Sequence, residues 1–307
     1  MKILILGAGA MGGYIGLRLL KAGEDVHFMV RESHLPVLRE RGLALRSALG
    51  DVNIAHLPMV TNTSGAKADV VIIACKAWDL ENAMAAVEPA LTTDSLIVPL
   101  LNGVSHIDRL AGVFGSERTG GGAVYTSATL GPDRTILHLN HYDRTVLGGI
   151  DAVSQQHAGE LVERLRSAGI QAELASSIQA SLWEKFTRVT ALAALTCLFR
   201  ASVGQIVETD HGAEIAAGLL DECVQIAGAA GYPPRASHVR DSQMRLTERS
   251  STLTASMMRD MLANSQTEAD TLVGDMARRG RSLGIATPLL DVAWTNLQVY
   301  ETRRLAS

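Results

Sequence analysis

The 307-residue chain has few aromatics: Phe, Trp and Tyr make up 4% of it. Its core must therefore be built from Ala, Val, Leu, Ile and Met, which a hydrophobic content of 47% amply supplies. Cysteine is also scarce. Cys75, Cys197 and Cys223 are odd in number and scattered. That excludes a disulfide framework and offers no metal-ligand spacing, so no metal site is expected. Buried thiols in a reducing compartment are the expectation. An excess of basic residues is missing as well. The formal net charge is −4, so no basic face is offered to a phosphate backbone and nucleic acid is not an expected partner. No apolar stretch reaches the roughly 18 residues a membrane helix needs. The N-terminal apolar run is too short for a signal peptide and breaks into glycine at once. The chain thus reads as a soluble, cytoplasmic protein of two domains.

What is present begins at once, in MKILILGAGAMGGYIG. Residues 2–6 form a strand apolar on both faces, as a central parallel strand should be. Residues 10–22 carry helical spacing and stop at Gly23, and 25–30 form a second strand. Gly7-Ala8-Gly9-Ala10-Met11-Gly12 fits G-x-G-x-x-G inside this strand–helix–strand unit, the context that makes the motif a dinucleotide site. Gly7 allows the tight turn. Gly9 lets a pyrophosphate approach without a Cβ in the way. Gly12 and Gly16 let helix and sheet press together. The helix N-terminus, at Ala10 and Met11, offers unpaired N–H groups to the phosphates.

Further on, 68–77 and 95–101 read as doubly buried strands, with helices over 79–91 and 102–115. Residues 120–150 are β-rich, with turn signals at Gly131-Pro132 and Tyr142-Asp143. A helix over 155–168 and a last strand over 170–174 follow. Beyond about residue 177 no strand pattern remains: 178–199, the stretch from Glu214 and 251–283 are helical by spacing, and 231–240 reads as a loop. The expected fold is an α/β, Rossmann-type dinucleotide-binding domain, 1–177, followed by an all-α domain, 178–307. The substrate would sit in the cleft between them. His106, His138 and His141 have no metal spacing and are assigned to surface or loop roles.

An NAD site has an acidic residue at the end of the second strand, on the ribose 2′-OH. This chain places Arg31 there, followed by Glu32. A guanidinium can hold a 2′-phosphate bidentately, so NADP(H) is the expected cofactor. The alternative is a solvated Arg31 with Glu32 on the ribose.

Several short motifs then line up: GAGAMG, KAW at 76–78, NG at 102–103, LWEK at 182–185, SMMRDMLANSQTEAD at 256–270 and GIATP at 284–288. In this order, over nearly the whole chain, they resemble the ketopantoate reductase (2-dehydropantoate 2-reductase) family. The resemblance implies NADPH-dependent reduction of ketopantoate to pantoate, a step of pantothenate biosynthesis. It implies that Lys76 and Asn102 lie along the cofactor and the substrate edge. Lys185 would be the general acid for the carbonyl oxygen. Ser256 would help hold the substrate carboxylate, and Glu268 would bind the substrate hydroxyl and bias Lys185. These residue types suit the reaction, because hydride delivery builds negative charge on oxygen and calls for a positioned proton donor. Lys185 stands between Trp183 and Phe186 in an otherwise apolar helix, which favours a buried ammonium. Without the family, Glu268 and Asp270 read as acids of a helix first turn capped by Thr267. Ser256 reads as an unremarked mid-helix serine.

The chain departs from the family pattern on the helix of Lys185. Asparagines stand there at i+4 and i+8, and a proline follows; here the residues are Val189, Ala193 and Ala194. The face that would present two amides is apolar. Three readings stay open: ketopantoate is still the substrate; the substrate is a more apolar 2-oxo acid, ketone or imine; or the chain is a non-catalytic NADPH-binding redox sensor. The apolar C-terminal helices leave a homodimer open.

Overall fold

The computed structural model describes residues 1–61 and 65–306. They form two units: Met1–Leu101 with His106–Ser181, and Asn102–Ser105 with Leu182–Ser307. In the first unit β1 (Lys2–Leu6), α1 (Ala10–Lys21) and β2 (Asp25–Met29) build the opening βαβ. There follow α2 (Leu35–Arg41), β3 (Leu43–Arg46), β4 (Val52–Ile54), β5 (Met59–Val60), β6 (Val70–Ile73), α3 (Leu80–Val87), β7 (Leu96–Pro99) and α4 (Ser105–Phe114). Then come β8 (Gly120–Val124), β9 (Ala128–Leu130), β10 (Ile136–His138), β11 (Thr145–Gly149), α5 (Ala152–Ser167) and β12 (Ala172–Leu174).

The central sheet runs β5-β2-β1-β6-β7, parallel throughout. Alternate residues of β1 serve opposite faces. Ile3 and Ile5 belong to one apolar cluster, and Leu4 to the other. None is more than 2% exposed, which is why the sequence of β1 is apolar without alternation. Gly16 is where α1 touches the sheet. A Cβ there would run into the Phe28 ring and the Ile5 side chain.

The stretch between Arg31 and Ala68 has no period that sets it apart, yet it holds α2, β3, β4 and β5. β3 pairs locally with β4, and the two join β9 and β10 in a four-stranded sheet, so the partner on the other side of β3 lies far along the chain. Tyr14 of α1 donates from its hydroxyl to the buried carboxylate of Asp143, which lies between β10 and β11, at 2.7 Å.

The second unit holds α6 (Ile178–Phe199, from Leu182 on), α7 (Val203–Val207), α8 (Gly212–Ala229), α9 (Ala236–Leu246), α10 (Ser256–Leu262), α11 (Asp275–Ser282) and α12 (Pro288–Ala306). Among the described residues it contains no strand. The Thr287-Pro288 start of α12 is held from α8, where buried Glu222 accepts the N–H groups of Leu289 and Leu290, each at 2.9 Å. That contact satisfies orphan donors at a helix start. The expected loop over 231–240 is only partly a loop, since α9 begins at Ala236. The expected helical stretch 251–283 is broken: after α10 the chain is irregular, then makes one π-helical turn over Asp270–Gly274 before α11.

Candidate active site

In the first unit, the end of β1 and the start of α1 form the glycine loop. Gly7 has φ +104°, and a Cβ on it would lie 2.9 Å from the Ala74 carbonyl oxygen. Only glycine fits there without strain. A Cβ on Gly9 would meet nothing within 4 Å. Gly9 is also the N-cap of α1, with no side-chain cap and no acidic residue in the first turn. The N–H groups at Ala10 and Met11 and the positive end of the helix dipole are therefore left for an outside anion. A diphosphate fits this loop: the space is open on the Gly9 side, and the chain places no carboxylate there to compete.

Arg31 follows β2 and is not simply solvated. Its Nη2 donates to Asp79 Oδ2 at 2.5 Å, and Asp79 lies in the turn that follows β6. Glu32 is exposed. Lys76 lies on the same turn, its Nζ 5.6 Å from the centroid of the Trp78 ring.

In the second unit, Lys185 lies on α6 with only 9% of its surface exposed, flanked by Trp183 at 4% and Phe186 at 1%. Burial lowers its pKa to about 8, against the opposing pull of Glu268, and Arg188 lowers it further. The Glu268 carboxylate, itself buried, accepts from Asn102 Nδ2 at 3.5 Å across 166 residues of sequence. Asn102 belongs to the short segment Asn102–Ser105 that packs with the helical unit. Gly103, with φ +88° and the Thr271 carbonyl oxygen 3.1 Å from where a Cβ would sit, lets that segment come close.

Glu268 stands just ahead of the π-turn, and its carbonyl accepts the Leu272 N–H at 3.0 Å. Thr267 caps no regular α-helix. It is pinned instead by Glu301 of α12, whose Oε1 accepts the Thr267 N–H at 2.8 Å and the hydroxyl at 2.6 Å. The irregular backbone thus aims Glu268 into the unit's interior, a common use of π-turns. Lys185, Glu268 and Asn102 make one cluster able to hold a polar carbonyl compound and give it a proton.

Ser256 is the first residue of α10 rather than a mid-helix serine. It is exposed, and no hydrogen bond ties it to the cluster. Val189 is half-buried, while Ala193 is 1% and Ala194 0% exposed.

His106 overturns the surface assignment. It lies on α4, 3% exposed, because α4 turns that face inward with Ile107 and Leu110. His138 lies on β10, its Nδ1 2.8 Å from the Ser47 hydroxyl. Cys197 and Cys223 are fully buried, and burial raises the Cys197 thiol to about 12, so both are inert.

Sequence reasoning missed Asp79, Arg188 and Asp241. Arg188 is one helical turn beyond Lys185, a spacing that places the two side by side, and that signal was there to be read. Its Nη1 donates to Asp241 Oδ2 of α9 at 2.7 Å, a pairing that no spacing reveals. Next to Lys185, the carboxylate of Glu184 takes three bonds from Arg235, at 2.9 Å from its backbone N–H and at 2.8 and 2.7 Å from its side chain. These bonds fix α6 against the start of α9. No group of residues suited to a metal ion occurs among the described residues, and no described helix is long and apolar enough to cross a membrane.

Comparison with known proteins bears on both units. Residues 3–152 match the family described as Ketopantoate reductase PanE/ApbA, and residues 177–301 match its C-terminal counterpart. An uncharacterized oxidoreductase, YkpB of Bacillus subtilis, is 33% identical over 99% of this chain and 100% of its own length. A 2-dehydropantoate 2-reductase of Archaeoglobus fulgidus is 27% identical over 92% of each chain. The solved D-mandelate dehydrogenase, a ternary complex with NADH and anilino(oxo)acetate, superposes with a TM-score of 0.89 at 22% identity, covering 99% of this chain and 100% of that one. That last likeness is one of fold. The chain belongs to the ketopantoate reductase family and is an oxidoreductase acting on a CH–OH group.

Proposed function

We propose that this member of the ketopantoate reductase family reduces the carbonyl of a 2-oxo acid, with NADP(H) as its nicotinamide cofactor and ketopantoate as the leading substrate. The observation that carries the reading is Lys185: a buried ammonium with its pKa lowered to about 8, clustered with Glu268 and Asn102. The glycine loop would hold the diphosphate through the N–H groups at Ala10 and Met11. Arg31 would meet the 2′-phosphate, and Lys76 and Asn102 would lie along the cofactor. When bound, the reduced nicotinamide supplies a hydride to the carbonyl carbon.

The residues do the rest. The Lys185 ammonium donates its proton to the carbonyl oxygen as negative charge builds there, a contribution of about 10²–10⁴-fold. Burial makes it a better proton donor near neutrality, and the Glu268 carboxylate keeps enough of it charged. Glu268 is also placed to accept a substrate hydroxyl, with Asn102 orienting its carboxylate. Ser256 is retained as a carboxylate contact, reached by the exposed hydroxyl at the start of α10. A buried, tuned lysine supports turnover over a binding-only sensor, which would need no proton donor. Cys197 and Cys223 suit a reducing cytoplasm.

A second reading has its own support. Val189 stands half-buried one turn beyond Lys185, where an amide would hydrogen-bond a hydroxylated substrate. An apolar wall cannot reproduce such a bond and does not strongly discriminate. A more apolar 2-oxo acid would then be turned over better than ketopantoate. The test is oxidation of NADPH, followed by absorbance, with ketopantoate beside a panel of 2-oxo acids graded in side-chain polarity. Fast turnover on ketopantoate alone supports the first reading. Turnover confined to apolar acids supports the second. Tight cofactor binding without turnover on any 2-oxo acid overturns both.

A further inference from the structure

Two turns of the first unit meet where the chain order would not bring them together. Arg31, after β2, donates to Asp79, after β6, although 48 residues separate them. In the sheet β1 lies between β2 and β6, and the three strand ends are tied: Gly7 donates its N–H to Met29 O and Ala74 to Leu6 O, each at 3.0 Å. The Arg31–Asp79 pair therefore bridges the strand ends on either side of the one that feeds the glycine loop.

Asp79 is held as well as paired. Its Oδ1 accepts from Asn82 Nδ2 at 3.0 Å, and its side chain is 20% exposed where that of Arg31 is 69%. With the guanidinium so open to solvent, the pair adds little to stability. What it fixes is the position of a carboxylate.

A dinucleotide with its diphosphate on this loop turns its adenosine ribose toward the end of β2. The 2′ position then faces both members of the pair. A 2′-phosphate is drawn by Arg31, but it is repelled by Asp79 and must compete for a guanidinium N–H that Asp79 already takes. A 2′-hydroxyl carries no charge to repel and can donate to the Asp79 carboxylate. An acidic residue on the ribose is what an NAD site needs, and here the turn after β6 supplies it in place of the end of β2.

We propose that Asp79 is a cofactor-specificity residue: by engaging Arg31 and presenting a carboxylate to the ribose 2′ position, it weakens the preference for NADP(H) and lets the site take NAD(H) as well. This rests on the reading of Arg31 as the 2′-phosphate contact.

The test is equilibrium binding of NADPH and of NADH, by nicotinamide fluorescence, to the intact chain and to Asp79→Asn and Arg31→Ala. Asp79→Asn keeps the shape of the side chain at the start of α3, and a melting curve checks its fold. The NADPH-over-NADH affinity ratio rises by about tenfold in Asp79→Asn, the scale of one charge-assisted hydrogen bond. An unchanged ratio overturns the inference. A lower ratio also overturns it, since Asp79 would then be orienting Arg31 for phosphate. Arg31→Ala separates the two readings. If it loses NADPH affinity while the Asp79→Asn ratio stays put, only the role of Asp79 falls. If it binds both cofactors as the parent chain does, the Arg31 reading falls with it.

Discussion

The glycine loop and the Lys185 face of α6 prepare for charge by opposite means. At Gly7–Gly12 side chains are removed, so that backbone N–H groups and a helix dipole face open space; a Cβ on Gly9 would touch nothing within 4 Å. At Lys185 side chains are packed in, and a cation is held 9% exposed. An anion at the first site would be held by what the backbone leaves unsatisfied. At the second, burial makes the charged form of lysine costly and its proton easier to give up. A loop of the first kind depends on a few contiguous residues. A cluster of the second kind depends on everything packed around it.

The largest expected effect tests whether the second region does the proton chemistry alone. Lys185→Ala lowers kcat by about 10²–10⁴-fold and leaves the dissociation constant for NADPH nearly unchanged. Steady-state kinetics beside fluorescence titration check this. Equal losses in both would merge the two regions' roles. The parent chain's rate of carbonyl reduction also falls as pH rises through about 8, because Lys185 is protonated below that value and neutral above it.

A smaller effect separates space kept for a ligand from space needed by the fold. Gly9→Ala leaves the melting temperature unmoved, since its methyl meets no neighbour, yet weakens dinucleotide binding by about tenfold. Gly12→Ala would drive its methyl into the Gly7 carbonyl oxygen and costs stability itself, about 1–3 kcal/mol. Equal melting temperatures for the two variants would break the distinction.

The smallest effect sharpens the account of the lysine. Arg188 lowers the Lys185 pKa, so Arg188→Gln moves the alkaline limb of the pH–rate profile upward, by less than about one unit. Asp241→Asn removes the carboxylate that Arg188 pairs with at 2.7 Å and moves the limb the other way. A limb that stays fixed in both variants would show that the proton donor is not Lys185.

The same contrast explains what could be read from the chain. The βαβ opening, the glycine loop and the helical second half are written in local spacing, and β1, α1 and β2 stand where that spacing puts them. The stretch holding α2 and β3 to β5 was not legible. β3 pairs with its neighbour β4 but is covered on its other edge by β10, whose Ile136 stands opposite Leu45, so part of what gives the strand its reason lies elsewhere in the sequence. His106 was misjudged for a related reason: a polar residue on a short helix shows its burial only when the helix is packed.

The sequence by itself determined that a glycine-rich turn joins the first strand to the first helix and that a lysine stands next to aromatics on a later helix, because turns and helix faces are set by neighbours a few residues away. Only the tertiary structure decided that Glu268 reaches Asn102 across 166 residues. It likewise decided that Glu268 precedes a π-turn rather than beginning a helix, and that the exposed Arg31 is paired with a carboxylate from the turn after β6. Burial and charge pairing are made by chain segments that meet only on folding, and they set how Lys185 and Arg31 behave.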